Sequence, residues 1–156
     1  MKRIFLASLI AGLFTFGISY AADHKAMHEK MTEMGGPKPD DRIELKLPDT
    51  MKVMQKRMMR QHLDTVGEIT LAIANNDLSK AAAVAKGLGW SPEEEARCSM
   101  VSDLTGEKDF LSLGMAVHKS ADELAQAAVA GDRDLALINL SKLVKNCNAC
   151  HEKFRH

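Results

Sequence analysis

The chain has 156 residues, with 21 basic side chains against 21 acidic ones. That length suits one small domain. With no basic surplus and no long cationic run, the chain lacks the electrostatic footprint of a nucleic-acid binder, and that class is set aside.

Lys2 and Arg3 precede the apolar run IFLASLIAGLFTFGI, and Ser19-Tyr20-Ala21 follows with small residues at the positions that determine cleavage. This is the pattern of a secretory signal peptide, residues 1–21, removed after Ala21. The run is short for a membrane span, which needs about 20 apolar residues. The expectation is therefore an exported, soluble, periplasmic protein. Without residues 1–21 the chain keeps 135 residues, 19 basic and 21 acidic side chains, and only Phe110, Phe154 and Trp90 as aromatics. Its core must be aliphatic, or completed by something else.

Residues 22–48 read as a flexible tail and linker. His24, Met27, His28, Met31 and Met34 fall at three and four spacing, so a transient helix there would present thioether and imidazole ligands suited to copper. The simpler reading is a solvated N-terminal tail, broken by Gly35-Gly36-Pro37. IELKLP reads as a short extended segment with little to build a core.

From Asp49 or Thr50, either of which is a suitable cap, the pattern turns helical. Met59, Val66 and Ile73 recur every seven residues, with Leu63, Ile69 and Thr70 filling the same face, and Asn75-Asn76-Asp77 ends the helix. LSKAAAVAKGLG is a second helix with Gly87 and Gly89 as stops. Ser91-Pro92-Glu93-Glu94 combines an N-cap serine, a proline at the first helical position and a capping-box glutamate, opening a short helix that carries Cys98. The next long helix puts Phe110, Leu113, Val117, Ala121, Leu124 and Ala128 on one stripe and stops at Gly131. His118 lies off that stripe and is assigned to the surface or a helix interface. Asp132 caps the last helix, which carries Ala136, Leu140, Leu143 and Cys147 at three and four spacing. Long helices joined by short loops predict an all-α, antiparallel four-helix bundle over residues 49–156.

The last helix ends in Cys147-Asn148-Ala149-Cys150-His151. Three cysteines in an exported chain leave one over from any disulfide framework, and that one is Cys98, read as a small buried hydrophobe or as an intermolecular disulfide partner. On a helix Cys147, Cys150 and His151 point the same way, so one flat cofactor could engage all three. C-x-x-C-H is the recognised attachment sequence for c-type haem, with two thioethers and an axial imidazole. Structural zinc would want four tetrahedral ligands, for which only Cys98 remains. A thioredoxin-like dithiol would want a βαβ context, which is absent, and a plain disulfide gives His151 no role.

A helical bundle whose last helix ends in C-x-x-C-H-x-x-F-R resembles the class II c-type cytochromes, the cytochrome c′ family, over about residues 49–156. The family is an established example of the up-down-up-down bundle. The resemblance implies one covalent haem c near the C-terminal end of the last helix, thioether bonds from Cys147 and Cys150, a proximal iron bond from His151, and a place near the haem for Arg155. It also implies a sixth iron position supplied by the first helix, filled by methionine in low-spin members and without a strong ligand in high-spin ones.

The first helix offers Met51, Met54, Met58, Met59 and His62. Met59 shares the inward stripe of Val66 and Ile73 and is the candidate sixth ligand, while the plainer reading makes it a flexible core filler. A ligating methionine implies electron transfer with redox partner proteins of the periplasm or membrane. An open position implies a binder or scavenger of a diatomic gas such as nitric oxide. The family resemblance further implies a homodimer formed through the first helices. Nothing in the chain suggests a substrate pocket with a general acid or base, so an enzyme is not expected.

Overall fold

The computed structural model describes residues 24–35 and 39–156. The expected signal peptide lies outside the described residues. The chain divides into two units, Met1–Asp41 and Arg42–His156. In the first, residues 24–33 form a helix, α1, whose side chains are all exposed.

The second unit contains strand β1 (Ile43–Glu44), helices α2 (Asp49–Ala74), α3 (Leu78–Leu88), α4 (Pro92–Thr105), α5 (Lys108–Val129) and α6 (Arg133–Lys153), and strand β2 (Phe154–Arg155). It is the expected helical bundle. Helix α5 is its centre, because α3, α4 and α6 all pack on it. The polar contacts between α5 and α6 run in opposite senses: Asn139 Nδ2 donates to the Glu123 carbonyl at 3.2 Å, and Asn146 Nδ2 to the Ala116 carbonyl at 3.2 Å. The residue number rises on α6 as it falls on α5, so the two helices are antiparallel.

Local sequence rules set most helix ends. The Ser91 hydroxyl accepts from the Glu94 N–H at 3.2 Å with Pro92 in the first turn, and Asp132 Oδ1 accepts from the Leu135 N–H at 2.9 Å. Gly131 takes φ +75° at the end of α5, a left-handed turn that a side chain would strain. The start of α2 departs from expectation. Neither Asp49 nor Thr50 caps it; the cap residue is Pro48, whose carbonyl accepts from Met51 N–H at 2.9 Å and Lys52 N–H at 3.0 Å.

Two further expectations are corrected. Leu63 and Thr70 are exposed, and the buried stripe of α2 runs instead through Gln55, Ile69, Ala72 and Ile73. Residues 42–48 are also part of the bundle unit. β1 pairs in parallel with β2, Ile43 opposite Phe154 and Glu44 opposite Arg155. Leu45 and Leu47 are buried against Val101, Phe110 and Phe154, with Lys46 turned outward.

The core falls into clusters along the bundle. One is rich in alanine, with Ala72, Ala81, Ala85, Ala128 and Ala136 around Ile69, Ile73 and Leu124, so the helices approach closely there. The others, around Leu88, Val117 and Leu143 and around Leu45, Phe110 and Phe154, contain the bulkier residues and reach Cys147 and Cys150 respectively.

Candidate functional site

A cavity of about 810 Å³ opens between α2, α5 and α6, within the size range of small-molecule sites. Cys147, Cys150 and His151 of α6 line it. The 3.6-residue period brings them within an arc of about 100°, since Cys150 and His151 follow Cys147 by three and four residues. Both cysteines are free thiols and half-buried. Burial pushes the Cys150 thiol up to about 11 and raises Cys147 as well, so both are protonated near neutral pH. His151 is exposed at the rim, and its carbonyl accepts from Arg42 Nη1 at 3.2 Å.

Helix α2 supplies the facing wall. Met58, Met59 and His62 are all half-buried and all line the cavity, with Gln55 below them and Val66 above. The separation by helix angle that singles out Met59 is thus narrower than the cavity, which is wide enough to take in a whole turn. His62 is already engaged: its ring meets that of His118 edge to face at 5.7 Å between centroids. Burial, with the His118 charge second, lowers its pKa from 6.5.

Of the surface and helix-interface positions expected for His118, the structure shows the interface, and the ring is buried there at 3% exposed. Its Nδ1 lies 2.8 Å from the Leu88 carbonyl and its Nε2 3.7 Å from Glu94 Oε2. The ring therefore bridges the end of α3 and the start of α4 from its seat on α5. The stripe that excluded it was drawn one residue too narrow. Cys98 is buried beside this group, and burial, followed by the Glu94 charge, pushes its thiol up to about 11.

The chain beyond α6 closes the site. Phe154 packs on Phe110 at 5.6 Å between ring centroids, tilted by 56°. Arg155 lines the cavity, donates from Nη2 to Glu44 Oε2 at 3.1 Å, and accepts at its carbonyl from the Leu45 N–H at 2.8 Å. The sequence reading missed Leu45, Gln55, Glu94 and His118 as cavity neighbours. Only the alternation Leu45-Lys46-Leu47 carried a local signal.

These residues fit a haem. Two protonated thiols and an imidazole share one helix face, apolar walls come from Val66, Phe110, Val117 and Phe154, and a second helix presents thioethers across the cavity. Among the described residues no helix is long and apolar enough to cross a membrane, and none of the His, Cys, Asp and Glu side chains gather in threes as a metal site.

The family profile of cytochrome c′ matches residues 48–155. The chain is also 33% identical over 86 residues to the cytochrome c′ of Rhodocyclus tenuis, a match covering 54% of this chain and 62% of that relative, under two thirds of its length. No solved structure matches. With most of its length matched, the chain belongs to the cytochrome c′ family, and its cofactor is covalent haem c.

Proposed function

We propose that the protein is an exported mono-haem c-type cytochrome that carries electrons. Haem c, when bound, supplies a one-electron iron couple. Cys147 and Cys150 hold its porphyrin through thioethers, His151 is the proximal ligand, and Arg155 lies near it at the cavity wall. Met59 is the sixth ligand. The observations that carry this reading are that Met59, like its neighbour Met58, lines the same cavity as Cys147, Cys150 and His151 on the facing helix, and that Met59 rather than Met58 shares the seven-residue register of half-buried Val66 and buried Ile73. His62, the competing donor, is already packed on His118. A His/Met ligand pair raises the potential and changes little in geometry between oxidation states, which suits an electron carrier. The leader-like residues 1–21 support export, and the periplasm holds the redox partners that such a carrier serves.

The absorption spectrum of the haem-loaded protein, oxidised and then reduced with carbon monoxide added, tests the reading. A sharp low-spin spectrum indifferent to the gas supports it. A broad high-spin spectrum that shifts with carbon monoxide overturns electron carriage in favour of binding a diatomic gas.

A further inference from the structure

We propose that α1 is a binding site for a soft monovalent metal ion of the Cu(I) type, formed by His24, Met27, His28 and Met31. Each of the four is three or four residues from two of the others, so they close a quadrilateral on one helix face. At 3.6 residues per turn they span an arc of about 100°. Lys25, Glu29, Lys30 and Glu33 take the remaining circumference, with Lys25 Nζ and Glu29 Oε1 4.0 Å apart. Soft donors and charges are thus segregated to different sides. The helix is continuous beneath the site: Thr32 Oγ1 donates to the His28 carbonyl at 2.8 Å, and Gly35 at φ +97° ends the turn that follows.

Methionine in a folded domain usually fills gaps in a core. Met27 and Met31 are 62% and 66% exposed and fill none. An apolar docking face would use leucine, isoleucine or phenylalanine, and residues 24–35 contain none of these. Thioether and imidazole together are a soft to borderline donor set, which favours Cu(I) over the hard cations that need carboxylates. Two imidazoles without thiolate or carboxylate are too few for a structural zinc site. The three rotatable bonds of methionine let donors one turn apart converge on one ion of low coordination number.

The test uses the full haem-loaded protein, so that Cys147 and Cys150 are already engaged. Cu(I) is titrated under reducing conditions against a chromophoric Cu(I) chelator, for the natural chain and for Met27→Leu/His28→Gln/Met31→Leu. Silver(I), the redox-inert substitute, is followed by the methyl resonances of Met27 and Met31. The proposal expects one equivalent of Cu(I) withheld from the chelator by the natural chain and released in the variant, with both methyl resonances moving by one equivalent of silver. It also expects the haem spectrum of the variant to be unchanged. Equal competition by both chains, unmoved methyl resonances, or zinc held as firmly as Cu(I) would overturn it.

Discussion

The imidazoles of His62 on α2 and His118 on α5 meet edge to face, 5.7 Å apart between centroids, and tie the wall of the cavity to the centre of the bundle. Burial, then the His118 charge, holds the His62 pKa below 6.5 in the folded state. Above 6.5 both folded and unfolded chains keep this ring neutral and its contribution to stability is fully present. Below 6.5 the unfolded chain takes a proton that the folded one resists, so stability falls with pH until the folded pKa is passed. Urea melts of the haem-loaded protein should show a lower midpoint at about pH 5.5 than at about pH 7.5. His62→Gln should flatten that difference; an unchanged slope would contradict the assignment.

Gly114 on α5 faces Cys98 on α4. A Cβ added at Gly114 would lie 2.7 Å from the Cys98 sulfur, closer than packed atoms approach. Gly114→Ala should therefore destabilise, because overpacking costs about 1–3 kcal/mol against a helix-propensity gain of about 1 kcal/mol. In a Cys98→Ala background the obstruction is gone and the same change should stabilise by about 0.5–1 kcal/mol. A double-mutant cycle in urea reads the reversal of sign.

On the proposed reading the haem completes the core, filling the cavity of about 810 Å³ that the bundle leaves between its helices. If even a quarter of it stayed dry and empty, at about 24 cal/mol per Å³ the cost would be about 5 kcal/mol, comparable to the whole stability of a small domain. Cys147→Ser/Cys150→Ser, made without haem, should show reduced helicity and a broad, weakly cooperative melt by far-ultraviolet circular dichroism. A native, sharp melt would contradict this.

Leu45 is 1% exposed and packs against Phe110 and Phe154 beside the strand pair that holds Arg155. Leu45→Ala should cost about 2–5 kcal/mol, whereas Ile43→Ala, on an exposed position, should cost no more than about 0.5 kcal/mol. Denaturant midpoints of the two variants give the comparison.

What the sequence made legible follows the range of the interactions involved. The caps at Ser91 and Asp132, the stop at Gly131 and the convergence of Cys147, Cys150 and His151 depend on neighbours within a turn, and local spacing is enough to find them. Leu45 and Leu47 were read as linker because their strand partner begins at Phe154, more than a hundred residues on. Spacing alone leaves His118 between surface and helix interface, because α5 is covered by three other helices and its buried arc is wider than one stripe. The sixth ligand was the least legible feature, since Met58, Met59 and His62 crowd one turn of α2 and helical phase alone separates them too weakly.

The central claim is that Met59 completes the iron coordination opposite His151. The most direct measurement is the far-red absorption of the oxidised protein, where a thioether bound to low-spin ferric haem iron gives a weak sulfur-to-iron charge-transfer band. The account predicts that band in the natural chain and in Met58→Ala, and its loss in Met59→Ala together with new binding of carbon monoxide in the reduced state. Absence of the band from the natural chain, or its persistence in Met59→Ala, would contradict the account.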